Sequence, residues 1–176
     1  MCCSSSCGFT ESNSTPSLAV SAKAAEQPRS HIRLREGSAI PVELAIRAIV
    51  VGSANDAAVT VAEAVGGSEG HFSEMMTAKA RQLGMAHTFF HNATGLPDDL
   101  QQTTAEDIGD PGAPPDLRLP GIYGYFQTAQ MNWRGEDYTT HNSLIGNYAG
   151  ADASRPAIST PPATIWSPRR SAAAGA

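Results

Sequence analysis

Few cysteines, no long apolar run and no basic run mark this sequence, and each shortage argues against a class of protein. The three cysteines, Cys2, Cys3 and Cys7, all fall in the first seven residues, where a metal site would need a fourth ligand and a folded frame. No apolar stretch approaches membrane-spanning length. The net charge of −5 argues against a nucleic acid partner. The first residues also lack the basic and apolar regions of a signal peptide.

A chain of 176 residues with 41% hydrophobic content suits one domain with a core. Apolar spacing predicts helices over 41–51, 55–65 and 69–83, with Pro41, Gly66-Gly67 and a Ser68 cap as their boundary signals. The residues predicted to face the core are Val42, Ala45, Ile46, Ile49, Val50, Ala58, Val61, Ala62, Val65, Phe72, Met76, Ala80 and Leu83.

Beyond these helices the sequence predicts shorter elements. Thr103 or Thr104 should cap a fourth helix that stops at Gly109, and segments 130–133 and 137–140 should form a strand pair turning through Arg134-Gly135. Met75, like Met76, is expected to fill the core. From Ala153 onward the sequence shows no regular spacing of apolar residues and is predicted to be disordered.

Two other functions are considered from the sequence, metal binding by histidines and DNA binding by the first two predicted helices. His87 and His91 stand four residues apart, as a helical metal pair would, but they follow the Gly84 stop and have no third ligand nearby, so no metal is predicted. His31 and His141 are predicted to be surface or turn residues. A helix-turn-helix DNA binder over 41–65 conflicts with the acidic charge and apolar faces.

Ser53-Ala54-Asn55 is the triplet that carries chemical information, because it stands at the joint between the first two predicted helices. A hydroxyl and a carboxamide should face outward from this corner, with Asn55 in the first turn of the second helix. The simpler interpretation is that Ser53 is a helix N-cap and nothing more, since serine oxygen accepts an orphan helix N–H.

The sequence around the triplet resembles that of the serine-type D-Ala-D-Ala carboxypeptidases, which are the low-molecular-mass penicillin-binding proteins. The similar stretches run in order over 18–27, 42–69, 79–99 and 125–150. This family has three motifs, Ser-x-x-Lys, Ser-x-Asn and Lys-Thr-Gly. The resemblance implies an α+β fold: a partial β-lactamase/transpeptidase-like fold, mainly its helical half, with a short strand pair.

The resemblance also implies a chemistry. The serine of Ser-x-x-Lys attacks the D-Ala-D-Ala carbonyl and forms an acyl-enzyme. Ser53 would relay a proton to the leaving amine, and Asn55 would hydrogen-bond the substrate amide and the lysine. The Lys-Thr-Gly strand would bind the substrate carboxylate. β-Lactams would acylate the same serine, and no metal or organic cofactor is implied.

Two of the three motifs are missing from the printed sequence. No Ser-x-x-Lys is present, since Ser21-Ala22-Lys23 has the wrong spacing, and no Lys-Thr-Gly is present in frame. Loss of the nucleophile of a serine hydrolase costs on the order of a million-fold in turnover. The family is therefore an enzyme family, but this chain is predicted to be inactive, and a catalytically dead remnant is the alternative function.

Three segments do not resemble the family: 1–17, 109–119 and 153–176. Codons compatible with Ala153–Thr160 spell Ile-Lys-Thr-Gly-Tyr-Ile-Asn one frame over, and the other two segments can also be respelled as family-like text. We therefore predict a truncated, frame-shifted gene. Its product would have disordered out-of-frame ends at 1–17 and 153–176, and a partial carboxypeptidase domain over 18–152 interrupted at 109–119.

The resemblance further implies partners and a location. Peptidoglycan pentapeptide and β-lactams are the expected ligands of the intact family, with neither nucleic acid nor metal. Such an enzyme works in the periplasm or at the outer face of the inner membrane. The sequence makes no prediction about homo-oligomers.

Overall fold

The computed structural model describes residues 16–109 and 124–141. In chain order these residues form β1 (Ser17–Ala19), α1 (Ala22–Ala25), β2 (Ala39–Pro41), α2 (Val42–Gly52), α3 (Asn55–Gly66), α4 (Glu69–Gln82), α5 (Ala105–Gly109), a 3-10 turn (Gly124–Gln127), β3 (Gln130–Trp133) and β4 (Glu136–Thr139). The predictions for the three cysteines, for most of 1–17 and 109–119, and for 153–176 lie outside the described residues. Ser17, at the edge of the first predicted segment, begins β1.

The three long helices confirm the prediction to within two residues at each end. Pro41 precedes α2 as its N-cap, where its missing N–H costs no hydrogen bond. The Ser68 hydroxyl caps α4 by accepting from the His71 N–H at 3.2 Å. Gly67 ends α3 in the left-handed conformation, with φ of 75°. Thr104 caps α5 through the Asp107 N–H at 3.1 Å.

The buried faces of α2 and α3 match the predicted ones only in part, since Ala45 and Ala62 are buried as predicted but other positions differ. In α2 the buried residues are Ala45, Ala48 and Val51. In α3, Val65 is 60% exposed, whereas Asp56 and Thr60 are buried. Both helices pack on neighbours along more than one side, so the buried positions do not follow the single apolar stripe that the sequence predicts. Met75 was also predicted wrongly, since it lies 41% exposed on α4.

The core lies where α2 and α3 meet α1 and the first strand pair. Its buried members are Val20, Ala24, Ile32, Leu34, Ile40, Ala45, Ala48, Val51, Ala54, Ala57, Val59 and Met131. Ile32 and Leu34 come from the loop before β2, so this loop is packed into the core and not merely a connection. Burying two such side chains stabilises the loop by roughly 3–6 kcal/mol in total.

Two antiparallel strand pairs flank the helices. β1 pairs with β2, with Leu18 opposite Ile40, and β3 pairs with β4, with Met131 opposite Tyr138. Arg134 and Gly135 turn the second pair with φ of 52° and 83°, as a two-residue hairpin with positive φ at both turn positions requires. β4 begins one residue earlier than predicted. No helix in 16–109 or 124–141 is long and apolar enough to cross a membrane.

Trp133, at the end of β3, packs partly buried against the core. The guanidinium of Arg134 lies over its ring, 5.1 Å from the centroid. The indole N–H is buried and has no acceptor among the described residues. An unpaired buried donor of this kind costs about 1–3 kcal/mol.

Candidate functional site

Ser53 occupies the corner between α2 and α3 in a left-handed backbone conformation, with φ of 50° and ψ of 39°. Its N–H donates to the Ala48 carbonyl, and the Ala54 N–H donates to the same oxygen at 3.2 Å. This pattern ends a helix and is usually made by glycine. The adjacent Gly52 instead completes α2. The turn at the predicted joint between the two helices is therefore centred on the serine.

The predicted helix–helix corner is confirmed, and the interpretation of Ser53 as an N-cap is wrong. The N-cap of α3 is Ala54, and no side chain caps this helix end. Ser53 is exposed, and its hydroxyl makes no hydrogen bond to any residue within 16–109 or 124–141. A serine held in a conformation that costs on the order of 1 kcal/mol, with a free hydroxyl, indicates a role outside the fold itself.

Asn55 is the first residue of α3 and is only 7% exposed. Its backbone N–H donates to the Ser30 carbonyl at 2.8 Å, and its side-chain Nδ2 donates to the Pro28 carbonyl at 3.0 Å. Its Oδ1 accepts nothing from the residues described. The carboxamide is thus oriented by the loop before β2, which leaves its oxygen available to a ligand N–H.

Asp56 fixes that loop and was missed by the sequence analysis. It is 1% exposed, and its carboxylate accepts from the backbone N–H groups of Ile32, Leu34 and Ala57 at 2.9 to 3.2 Å. A carboxylate at a helix N-terminus is also favoured by the helix dipole. These backbone N–H groups therefore stabilise the buried charge of the Asp56 carboxylate. We call residues 28–34, held by Asn55 and Asp56, the clamp loop.

The β3–β4 hairpin approaches the end of α2, next to Ser53 in the sequence. A ring carbon of Tyr138 would lie 3.8 Å from a Cβ placed on Gly52, and the Tyr138 hydroxyl donates to Glu136 at 2.9 Å. Glu136 in turn pairs with Arg33 of the clamp loop at 3.3 Å. Burial and the Glu136 carboxylate raise the pKa of Tyr138. Ser53 therefore lies between two segments that contact each other.

A second polar cluster lies beyond α4, in the loop that carries the two histidines. The Asp107 carboxylate is 5% exposed and accepts from the Thr88 hydroxyl at 2.6 Å and from the His87 N–H at 2.9 Å. The Thr88 hydrogen bond is the main reason that the pKa of Asp107 is lowered. The Thr103 hydroxyl joins the cluster at 2.8 Å from that of Thr88.

The histidines pair with separate acids. His91 Nδ1 lies 2.8 Å from Asp98, and His87 Nδ1 lies 3.8 Å from Asp107. Glu69 at the start of α4 pairs with Lys23 at 2.7 Å and accepts from the Ala93 N–H at 3.1 Å. Across the described ranges, no three potential ligands converge on a metal position.

The chemistry available at the Ser53 corner is proton transfer and hydrogen bonding. One free hydroxyl and one amide oxygen lie two residues apart on a rigid turn, and a serine hydroxyl can both donate and accept a proton. Asn55 donates two hydrogen bonds to carbonyls of the clamp loop, so the loop and the corner form one unit. The sequence predicted Ser53 and Asn55, but it gave no sign of the loop that orients them, because these contacts join residues more than 20 apart.

Comparisons with known proteins agree on one family. Residues 10–149 match the family model described as D-alanyl-D-alanine carboxypeptidase. The D-alanyl-D-alanine carboxypeptidase DacF of Bacillus subtilis is 38% identical over 140 residues, which cover 73% of this chain and 34% of that protein. The family match includes 109–119, the segment predicted to interrupt the domain. The chain spans about a third of the length of this relative.

Solved structures give the same answer for the fold. Penicillin-binding protein 5 of Haemophilus influenzae superposes with a TM-score of 0.69 and 26% identity, covering 76% of this chain and 40% of that one. Penicillin-binding protein 6B of Escherichia coli superposes with a TM-score of 0.68 and 26% identity, covering 76% and 44%. The predicted partial transpeptidase-like α+β fold is thereby confirmed.

Proposed function

Because this chain belongs to the D-alanyl-D-alanine carboxypeptidase family, we propose that it carries the Ser-x-Asn part of a site that removes the terminal D-Ala from peptidoglycan stem peptides. The observation that carries this proposal is the exposed hydroxyl of Ser53, which has no hydrogen bond within 16–109 or 124–141 and is held by a left-handed backbone at a helix–helix corner. The part of the chain that the structure describes supplies no other reason for a serine there, since glycine satisfies the same turn at lower cost.

We assign Ser53 and Asn55 different roles at this site. The Ser53 hydroxyl relays a proton to the leaving amine, for which an exposed group that can donate and accept is suited. The Asn55 Oδ1 accepts from the substrate amide N–H, while its Nδ2 stays on the Pro28 carbonyl. Peptide and β-lactam are the ligands, no cofactor takes part, and the reaction belongs outside the inner membrane.

The chain as printed performs no acylation under this proposal. Its two lysines, Lys23 and Lys79, follow Val20 and Met76 at the spacing where Ser-x-x-Lys has serine. Without that pair no serine is activated as a nucleophile. A second candidate function, a catalytically inert remnant that can still bind the peptide, is favoured by the same absence together with the intact corner.

Labelling with a fluorescent penicillin tests this proposal. We expect no covalent label on the purified chain, whereas an intact carboxypeptidase of the family, treated in the same way, should be labelled. A band that survives denaturation would mean that some serine here is activated, and the Ser53→Ala variant would then show whether it is Ser53. That result would contradict the relay role and favour a nucleophilic one.

A further inference from the structure

The clamp loop and the residue after it present a row of three arginines and one histidine on an acidic protein. Ile32 and Leu34 are 2% and 4% exposed, so the alternate positions turn outward. The exposed residues in this row are Arg29, His31, Arg33 and Arg35. The chain as a whole carries a net charge of −5, which makes this row a local reversal of sign. We call these four residues the basic row.

Most of the basic row has no internal partner. Arg33 pairs with Glu136 at 3.3 Å, but the side chains of Arg29, His31 and Arg35 form no ion pair or hydrogen bond within the ranges that the structure describes. By contrast, Arg47 on α2 is bound to Glu43 at 2.9 Å. Two guanidinium groups therefore remain free to bind an external anion.

The backbone that carries the basic row is held against the start of α3, next to the Ser53 corner in the sequence. Arg29 and Arg33 have positive φ, of 64° and 57°, and such strain persists where the surroundings over-determine the backbone. Asp56 supplies that constraint through the Ile32 and Leu34 N–H groups. Arg29 adjoins Ser30, whose carbonyl accepts from Asn55. One hydrogen bond therefore joins the backbone next to Arg29 to Asn55, which lies two residues after Ser53.

We propose that Arg29 and Arg35 bind a second carboxylate of the peptide ligand, upstream of its D-Ala-D-Ala end, and so select acidic peptides. This inference rests on the proposed function, because it takes the ligand of the Ser53 corner to be a peptide. A guanidinium can hold a carboxylate through two parallel hydrogen bonds, which gives orientation as well as attraction. Glu36, which follows Arg35 in the sequence, is exposed. It therefore leaves the two arginines accessible to anions in solution.

Two peptides that differ in one charge test the proposal: acetyl-D-Glu-Gly-D-Ala-D-Ala and its D-Gln counterpart. Binding to the full chain is followed by the backbone amide shifts of 29–35 and 53–56 in NMR titrations at low and high salt. We expect the D-Glu peptide to bind about two- to fivefold more tightly at low salt, as exposed ion pairs allow. The preference should shrink at high salt.

Matched variants assign the effect. Arg29→Gln/Arg35→Gln should abolish the preference, whereas Lys79→Gln/Arg81→Gln, which removes two cations from α4, should keep it. Equal affinity for both peptides, with the Ser53 and Asn55 amides still shifting, would overturn this proposal and leave the proposed function standing. A preference that survives Arg29→Gln/Arg35→Gln would also overturn it. Absence of shifts at Ser53 and Asn55 with either peptide would count against both proposals.

Discussion

At the scale of single residues, Ser53 combines a backbone cost with a side chain that the fold does not use. A left-handed conformation costs an L-residue other than glycine roughly 1 kcal/mol or more. Nothing in the described structure offsets this cost through the hydroxyl. Gly52, next to it, adopts helical geometry and could carry a Cβ at ordinary contact distance from Tyr138. With the serine and not the glycine at the left-handed position, the protein loses stability but presents a hydroxyl at the corner.

Ser53→Gly should raise the free energy of unfolding by about 1 kcal/mol, because glycine adopts positive φ without the Cβ clash. Urea denaturation followed by circular dichroism measures the change. Ser53→Ala is the control, since it keeps the Cβ and should leave stability within about 0.5 kcal/mol. Equal stabilisation by both substitutions would mean that the hydroxyl, and not the backbone, carries the cost.

The sequence identified Ser53 and Asn55 at a helix–helix corner, but it does not show which residue of the corner takes the left-handed conformation. Glycine is the usual left-handed residue, whereas here Gly52 is helical and Ser53 is left-handed. Asp56 appeared only as a helix-opening residue, although its carboxylate holds Ile32 and Leu34 from 22 and 24 positions away. Contacts at such separation leave no periodic signal in the sequence, and only a folded chain reveals them.

At the scale of elements, the junction of α3 and α4 depends on the absence of a side chain. A Cβ on Gly66 would lie 2.8 Å from the Phe72 backbone nitrogen and 2.9 Å from the Phe72 Cβ. Backbone atoms cannot move aside as a flexible side chain does. Gly70, in the first turns of α4, has nothing within 4 Å of the corresponding position.

Gly66→Ala should therefore destabilise the protein, by about 1–3 kcal/mol as expected for overpacking. Gly70→Ala should stabilise it by up to about 1 kcal/mol, because alanine has the higher helix propensity. Thermal unfolding of both variants beside the wild type measures this opposite pair of shifts. A Gly66→Ala protein as stable as the Gly70→Ala protein would show that α4 can shift away from α3.

The attachment of α5 depends on an ionised group. Thr88 and His87 donate to the Asp107 carboxylate, and these bonds lower its pKa from the ordinary value of 3.8. A lowered pKa means that the folded state binds this proton less readily than the unfolded chain does. The stability it contributes is complete above pH 3.8 and is lost as the pH falls through the folded pKa.

Asp107→Asn should remove part of the acid sensitivity of this unit. We expect amide hydrogen exchange in 87–89 and 105–109 of the wild type to accelerate as the pH is lowered below 3.8, after correction for intrinsic exchange. The variant should exchange faster at neutral pH and change less on acidification. Asp99→Asn, at an exposed position, is the control. An unchanged pH response in Asp107→Asn would assign the effect to another acid.

The sequence predicted some helices and strands better than others. α2, α3 and α4 have apolar spacing and boundary residues, and Arg134-Gly135 marks the hairpin. β1, α1 and β2 span three or four residues each, too few for any period to appear. The buried faces were predicted less well than the helices themselves, because burial depends on which neighbours pack against each side.

At the scale of the whole molecule, the described residues form two separate strand pairs around a helical core. The chain covers 40% and 44% of the two solved structures it superposes on. The frame-shift hypothesis accounts for why Lys-Thr-Gly is missing from the printed sequence, and it stays a prediction, as do the boundaries at 17, 109–119 and 153.

The coding DNA gives the test of that hypothesis. Nucleotides encoding Ala153–Ala157 should contain ATCAAGACCGGC, or a synonymous spelling of Ile-Lys-Thr-Gly, one frame over. A single base inserted after the Asp152 codon should restore the motif. Resequencing the locus measures this directly. Codons for Ser154, Arg155 and Pro156 that do not spell lysine and threonine in the shifted frame would leave the tail as a genuine extension.

The buried indole of Trp133 gives this protein an internal optical and isotopic reporter. Its N–H is shielded from water and lacks an acceptor among the described residues, so its emission should lie toward the blue and its proton should exchange slowly with deuterium. Both signals change as soon as the β3–β4 hairpin leaves the core. Because the same hairpin contacts Gly52 and Arg33, the emission wavelength of Trp133, measured in a Trp166→Phe variant, should report whether the corner is assembled.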